Sequence, residues 1–157
     1  MDPRTLRVLL KARGMTQSEL ARRVGVSRQA VSLWLRASGR VSLKGQHLVR
    51  VSEALGIAVE KLVRPLPCFE PELHGRLLAR YLWDRLFPDL DDFAVALIRK
   101  HPKALARLVE VLGLYGAEKV IGGSIWRDFP NYERFIHPVR RKQLASVQRW
   151  HESLTAA

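Results

Sequence analysis

Apolar residues recur every three or four positions along the first sixty residues, the spacing that places them on one face of an α-helix. Five short segments show this pattern. We expect helices to begin at Pro3, after Thr16, after Ser27, ahead of Leu48 and near Val59, and to fill residues 3 to 64. The inward positions expected in these segments are Leu6, Leu9, Leu10, Leu20, Ala21, Val24, Ala30, Val31, Trp34, Leu48, Val51, Ala54, Leu55, Val59, Leu62 and Val63.

Two of these segments begin with residues that stabilise a helix N-terminus. Thr16 followed by Glu19 is a capping box, and Ser27 offers a hydroxyl cap to the third segment. Gly25 is a typical helix-ending residue between them. The sequence therefore predicts two short helices joined by a tight turn, with polar residues on the outer side of the second helix.

A domain boundary is expected after these helices, because Pro65 and Pro67 disfavour a continuing helix. We expect a first domain over residues 1–64, a linker over 65–69 and a second domain over 70–157. No segment alternates as a strand does. The predicted fold is all-α, with a five-helix domain followed by a second small helical domain.

Helical spacing also dominates the second domain. Helices are expected from Pro71, over 89–100, over 102–114, near 117–127 and from Pro138 to about Ser153, with a break at 122–124 and a turn at Pro130 and Asn131. Asp89, with Asp91 and Asp92 behind it, is expected to cap the second of these helices. The expected inward residues are Leu73, Leu77, Leu78, Tyr81, Leu82, Phe93, Leu97, Ile98, Leu105, Leu108, Val109 and Leu112.

Charge separates the two halves. The chain carries 27 Lys and Arg against 15 Asp and Glu, a net charge of +12. Residues 1–66 hold 13 basic and 4 acidic side chains, whereas residues 67–157 hold 14 and 11. The excess of positive charge in the first half favours a polyanionic partner such as nucleic acid.

Other chemistry is weakly signalled. Cys68 is the single cysteine, which excludes an internal disulfide and a multi-cysteine zinc site. The scattered histidines show no metal-ligand spacing, and no nucleophile stands at motif spacing from a base, so we expect neither a metal, nor a cofactor, nor an enzyme. No apolar run is long enough to span a bilayer and the first residues lack a signal-peptide core, so a cytoplasmic protein without a membrane partner is expected.

The run from Met15 to Trp34, MTQSELARRVGVSRQAVSLW, resembles the Cro/repressor (XRE-type) helix-turn-helix family, whose fold is lambda-repressor-like. The resemblance covers about residues 5–64 and includes Ala54-Leu55-Gly56 downstream. The family often has an acidic residue and a glycine directly after the recognition helix. This chain has Leu35 to Arg40 there instead, so a longer loop is expected.

The resemblance implies that the third helix enters the DNA major groove. Arg28 can donate two hydrogen bonds to guanine and Gln29 can pair with adenine, while Ser32 and the methyl groups of Leu33 lie one turn along. These four residues are the expected base contacts. The resemblance also assigns a phosphate contact to Gln17, and Arg36, Arg40 and Lys44 lie where the DNA backbone is expected to run.

An aromatic and basic segment near the end of the chain has two interpretations. Its members form either a partner-binding surface or the core of the second domain. Its basic residues, Lys142 among them, can alternatively reach a second stretch of DNA backbone. The candidate surface residues are Trp126, Tyr132, Phe135, Arg140 and Arg141.

These features predict a sequence-specific regulator of transcription that binds double-stranded DNA as a homodimer and acts as a repressor. An alternative is an antitoxin or accessory subunit, which regulates its own operon and binds a toxin or enzyme through its C-terminal half. A third reading makes residues 68–157 a catalytic or ligand-sensing domain, which needs a pocket with paired titratable groups.

Overall fold

The computed structural model describes residues 1–66 and 68–155, and every regular element within them is a helix. The predicted all-α fold is confirmed. The chain divides into two compact units, Met1–Glu70 and Pro71–Ala157. Pro67 of the expected linker and the last two residues of the expected second domain lie outside the described residues.

The first unit contains the five expected helices. Three of them begin at a side-chain cap: a carboxylate oxygen of Asp2 and the hydroxyl oxygens of Thr16 and Ser27 each accept a bond from an N–H in the first turn. Each of these three helix starts is therefore fixed by the residue that directly precedes the helix. The helices are α1 (Pro3–Arg13), α2 (Gln17–Val24), α3 (Arg28–Arg36), α4 (Gly45–Leu55) and α5 (Val59–Val63).

The core of the first unit is aliphatic and lies where the helical spacing predicted it. Trp34 packs against this core while remaining half-buried, as expected of a packing residue. Val63 is an exception, because it is 36% exposed at the end of a five-residue helix that buries Leu62 alone. The fully buried side chains are Leu6, Leu20, Val24, Val31, Val51, Leu55 and Leu62.

The segment after α5 is bound to the start of the chain. The Asp2 carboxylate accepts bonds from the Thr5 amide (2.9 Å) and hydroxyl (2.7 Å) and, at 3.5 Å, from the Leu66 amide. The Thr5 hydroxyl also lies 3.1 Å from the carbonyl oxygen of Arg64. Residues 64–66 are thus part of the first unit. Although partial burial opposes it, the hydrogen bonds from Thr5 and Leu66 hold the pKa of Asp2 below its ordinary value.

The second unit is also helical. The helix that begins at Pro102 is interrupted at Gly113, whose φ of 72° and ψ of 172° are non-helical, one residue before the predicted end at Leu114, and the helical chain then continues to Ile121. Pro130 lies inside a helix, not in a turn. At the second helical position an N–H would have no acceptor within the helix, so proline, which lacks the N–H, is tolerated there. The helices are α6 (Pro71–Tyr81), α7 (Leu90–Ile98), α8 (Pro102–Ile121), α9 (Ser124–Arg127), α10 (Phe129–Tyr132) and α11 (Pro138–Thr155), with a 3₁₀ turn at Glu133–Phe135.

The core of the second unit surrounds α8. Asp89 caps α7 as expected, since its carboxylate accepts a bond of 2.7 Å from the Asp92 amide. Several predicted inward residues are exposed instead, because α6 buries no residue and α7 and α8 each present one edge to solvent. These corrections concern Leu73, Ile98 and Leu112, which are 39%, 45% and 38% exposed.

Candidate nucleic-acid interface

Helices α2 and α3 are joined by a turn of three residues, Gly25, Val26 and Ser27. Gly25 has φ 76°, in the left-handed region that favours glycine. A Cβ atom there would lie 3.0 Å from Nη1 of Arg50, so the turn is also closely packed. The predicted helix-turn-helix is therefore present, and its tight turn needs this glycine.

The N-terminus of each helix in the motif has a side-chain cap. The Thr16 hydroxyl accepts a bond from the Glu19 amide and the Ser27 hydroxyl accepts one from the Ala30 amide, each of 3.1 Å. The Glu19 carboxylate pairs with Arg23 at 2.5 Å, one turn along α2. The predicted capping box is thus confirmed for its Thr16 half.

Arginines from two other helices hold the C-termini of α2 and α3. Arg50 of α4 donates to the carbonyl oxygen of Val24 (3.2 Å), and Arg7 of α1 donates to that of Leu35 (2.9 Å). A cation at a helix C-terminus also interacts favourably with the helix dipole. Sequence reasoning missed both residues, because each acts on a carbonyl at least 26 positions away in the chain and no spacing rule signals such a pair.

The recognition helix α3 divides cleanly into two faces. Val31 and Leu35 are buried, at 0% and 8% exposure. Arg28 and Gln29 in the first turn are exposed, and Ser32 is half-buried. Leu33 is 69% exposed, so its methyl groups are open to contact from outside the domain. The structure thus places the four expected base-contact residues on the part of α3 that is not used by the core.

The expected phosphate contacts lie around this helix and are exposed. Gln17 is the first residue of α2, Arg36 is the last residue of α3, and Lys44 directly precedes α4. Arg40 lies in the eight-residue loop over 37–44. The loop is anchored at Val41, which exchanges two backbone hydrogen bonds of 2.9 Å with Met1.

Every charged side chain in the stretch of sequence that contains α3 is positive. Residues 20–52 contain seven Lys and Arg and no Asp or Glu, and this stretch includes the turn, all of α3 and the loop behind it. The acidic residues of the unit are Asp2, Glu19, Glu53, Glu60 and Glu70, and all of them lie outside the stretch. The recognition helix therefore presents its polar edge from a surface that attracts a polyanion.

The aromatic segment of the second unit is mainly core, which corrects the surface interpretation for two residues. Trp126 and Tyr132 are 5% and 0% exposed, and the Tyr132 hydroxyl donates to the carbonyl oxygen of Ile125 (2.8 Å). Burial, with the nearby Asp128 charge, raises the pKa of Tyr132 well above its ordinary value. Phe135 remains at the surface, 36% exposed.

The basic residues of that segment bond to backbone carbonyls. Arg141 donates to the carbonyl oxygens of Arg134 and Ile136, each at 2.9 Å. Arg140 donates to the carbonyl oxygen of Glu110 at 3.3 Å and to the side chain of Gln143 at 3.2 Å. These contacts join α11 to α8 and to the 3₁₀ turn, so both guanidinium groups have a structural role.

A polar pocket in the second unit is relevant to the hypothesis that residues 68–157 form a catalytic or ligand-sensing domain. It has a volume of about 260 Å³ and is lined by Asp84, Lys103, Arg107, Glu110 and hydrophobic neighbours. Arg107 forms an ion pair with Asp84, and the Glu110 carboxylate accepts a bond of 2.6 Å from the His137 amide. Its carboxylates are thus engaged in joining segments of the unit. Over residues 1–66 and 68–155, no three His, Cys, Asp or Glu side chains converge as metal ligands would.

Comparison with known families identifies the first unit. Residues 6–62 match a family model described as helix-turn-helix. Comparison with curated proteins and with solved structures gives no match. Among the described helices, none is long and apolar enough to cross a membrane. The family match and the exposed, basic α3 lead to the same conclusion: over residues 6–62 the chain contains a helix-turn-helix domain of the Cro/repressor (XRE) type, the DNA-binding domain of a transcription regulator.

Proposed function

We propose that the chain is a sequence-specific repressor that binds a palindromic site in double-stranded DNA as a homodimer. The observation that carries this proposal is the outer face of α3. Its first turn presents Arg28 and Gln29 to solvent from a stretch of 33 residues, 20–52, that has no acidic side chain. A helix held at both ends and polar on its outer side is the element that the major groove accepts.

The proposed base contacts differ in what they recognise. The two parallel N–H groups of Arg28 match the O6 and N7 acceptors of guanine, and the amide of Gln29 matches the N6 and N7 edge of adenine. Leu33 is 69% exposed and offers methyl groups to the thymine methyl. Ser32 is half-buried beside them and bonds to either base type.

The proposed phosphate contacts set the register and the salt dependence. Gln17 would donate from the start of α2, while Arg36, Arg40 and Lys44 would neutralise phosphates on either side of the groove. Each phosphate neutralised releases counterions, so affinity falls as salt rises. These contacts strengthen binding to all sequences alike and do not select between them.

Repression by occlusion is the simplest action for such a protein. A two-fold dimer places two recognition helices about 34–36 Å apart, one turn of DNA, so a palindromic site follows from the symmetry. A bound dimer then blocks access of other proteins to the same DNA.

A groove in the second unit favours the alternative of an antitoxin or accessory subunit. This groove has a volume of about 410 Å³ and lies between α7 and the end of α8. Ile98 and Val120 on its walls are 45% and 59% exposed, and apolar residues presented together are typical of a surface that binds another protein. If a toxin or enzyme binds there, Val120→Lys will abolish its co-purification with the chain and leave DNA binding intact.

Selection from random DNA tests the main proposal. Arg28→Ala and Gln29→Ala should each relax the preference at one base pair by about 1–3 kcal/mol, or roughly 5- to 150-fold. Gln17→Ala should weaken binding to every sequence by a similar factor. Lys61→Ala, an exposed basic residue on α5 outside the helix-turn-helix, is the control and should change neither quantity. Absence of sequence preference in the unaltered chain at physiological ionic strength would refute the proposal.

A further inference from the structure

The outer side of α11 carries a continuous uncharged face. At about 100° per residue, five of its residues fall within an arc of about 80°, opposite the side on which Leu144 and Gln148 are buried. Three of the five are large and exposed: Val139 at 64%, Trp150 at 57% and Leu154 at 57%. We name this face the α11 stripe; it consists of Val139, Gln143, Ser146, Trp150 and Leu154.

The stripe contributes little to the fold of its own unit. The hydrogen bonds of Gln143 and Ser146 go to residues of α11 itself. Val139, Trp150 and Leu154 are not among the residues that pack on the core of the second unit. A stripe of about 22 Å that leaves a tryptophan more than half exposed is more apolar than the surface of a monomer needs to be.

We propose that the α11 stripe binds the same stripe of a second copy of this chain, with the two helices antiparallel. This proposal rests on the proposed homodimer and names its contact. The stripe is symmetric about the midpoint between Ser146 and Val147, so an antiparallel partner sets Val139 against Leu154 of the other copy and Gln143 against Trp150. The small Ser146 lies at the crossing point, where packed helix axes approach to about 8–10 Å.

The self-complementary spacing of the stripe selects a second copy. Two copies each carry a net charge of +12 and repel, so they can associate only where uncharged surfaces meet. The stripe is such a surface, although basic residues flank it. An acidic partner would bind the flanking cations, whereas the stripe offers apolar contact and one reciprocal polar pair, the Gln143 amide with the indole N–H of Trp150.

The flanking charges give the dimer a recognisable salt dependence. Lys142 and Arg149 lie on the same edge of the stripe, and an antiparallel two-fold arrangement brings this edge beside its copy. Screening these like charges with salt strengthens the dimer. DNA binding has the opposite dependence, because salt weakens phosphate contacts.

Sedimentation of the full chain, under reducing conditions because of the exposed Cys68, tests the contact. A single helix pair is smaller than the usual interface of about 800 Å² per partner, so we expect a reversible dimer that dissociates at micromolar concentration. Trp150→Lys should raise the dissociation constant at least tenfold, with unchanged circular dichroism and melting temperature. Leu73→Lys is the control, because it places the same charge at an exposed apolar residue (39%) of α6, outside the stripe, and it should leave the dimer unchanged.

Cross-linking tests the orientation. In a Cys68→Ser background, a mixture of Val139→Cys and Leu154→Cys chains should be joined by a short bismaleimide that spans packed helices. Leu154→Cys chains alone should not be joined, because antiparallel packing puts the two 154 positions at opposite ends of the contact. Cross-linking of Leu154→Cys alone, without the mixed product, would overturn the antiparallel arrangement.

Two results would overturn the contact itself: an unaltered chain that stays monomeric up to about 100 µM with and without DNA, or a dimer that Trp150→Lys does not weaken. Neither result bears on sequence recognition. The Trp150→Lys chain keeps its α3 surface and should retain the sequence preference on a single half-site. Loss of sequence preference by the unaltered chain would instead count against the proposed function.

Discussion

The two units of this protein are stabilised in different ways. In the first, the helices have 5 to 11 residues; three of them begin at side-chain caps, and Arg7 and Arg50 bond to the C-termini of two. Its fully buried core is aliphatic. In the second, the core contains Trp126, Phe129 and Tyr132 around α8, which Gly113 interrupts. Fixing helix ends lets a small domain leave one side of a helix free, and that side of α3 is the one we propose to contact DNA bases.

The surfaces differ in the same sense. Of the 14 large hydrophobic residues exposed within the described part of the chain, 11 lie in the second unit. The first unit has an exposed Leu33 on a face that is otherwise polar and basic. We infer from this comparison that the first unit binds DNA and the second unit binds protein. Substitutions in the two units test whether these roles are separate.

Removing an aromatic residue from the second core should show whether the units are energetically separate. Tyr132→Ala should cost about 3–5 kcal/mol of unfolding free energy, because it deletes a fully buried ring. We expect the loss of stability to appear in the unfolding transition of the second unit, while the first unit keeps its recognition of a DNA half-site. Denaturant unfolding with DNA binding as a second probe measures this. Phe135→Ala, at a residue 36% exposed, is the control and should cost far less; equal loss of DNA binding and second-unit structure would show that the units unfold as one.

The turn of the helix-turn-helix should tolerate no side chain at its centre. Gly25→Ala should cost about 1–2 kcal/mol, because alanine is strained at φ 76° and its Cβ displaces Arg50 from the end of α2. Thermal unfolding measures this loss of stability. The free energy of binding to the selected DNA site should fall by more than the free energy of unfolding does. Gly39→Ala, in open space in the following loop, is the control. Equal effects of the two substitutions would contradict the strained turn.

Extremes of pH should affect the units selectively. The pKa of Asp2 is lowered in the folded state, so its contribution is present above the unfolded value near 3.8 and is lost as the pH falls through the folded value. The pKa of Tyr132 is raised, so its contribution is lost as the pH rises above about 10. Asp2→Ala should cost about 1 kcal/mol at neutral pH and flatten the acid limb, while Tyr132→Phe should flatten the alkaline limb. Stability measured from pH 2 to 11 checks both, and limbs unchanged by these substitutions would contradict the assignment.

The smallest effects are expected at the arginines that bond to helix ends. Arg7→Met should cost about 0.5–1 kcal/mol by freeing the carbonyl of Leu35 at the end of α3. Arg13 provides a graded comparison, because its bond to the Gly56 carbonyl is longer, 3.5 Å against 2.9 Å. Arg13→Met should therefore cost less and leave DNA affinity unchanged, whereas Arg7→Met should lower it. The reverse order in urea unfolding and in DNA titration would show that Arg7 does not position α3.

How well the sequence predicted each region follows from how local its signals are. Thr16, Ser27 and Gly25 act on residues within three positions, so the helix-turn-helix was readable at the right boundaries. In the second unit the end predicted at Leu114 corresponds to the interruption of α8 at Gly113, whose positive φ of 72° is a conformation that glycine readily adopts. Pro130 was mistaken for a turn because proline suits the first turn of a helix as well as it suits a loop.

For the candidate site, too, the local features were predictable from the sequence and the long-range ones were not. The exposed positions of Arg28, Gln29 and Leu33 follow from helical periodicity once Val31 is placed inside. Periodicity gave no means of deciding whether Trp126 and Tyr132 were surface or core, because large aromatic residues serve both. It also gave no sign of Arg7 and Arg50, whose partners are backbone atoms of other helices.

Local sequence accounts for the all-α fold, the helix-turn-helix and the basic side of the first unit, because capping, periodicity and charge act over a few residues or by simple summation. Long-range packing accounts for which arginines hold α2 and α3, which aromatic rings are buried and which face of α11 stays uncovered. Those outcomes depend on which helices pack together, and packing joins residues that the chain places far apart.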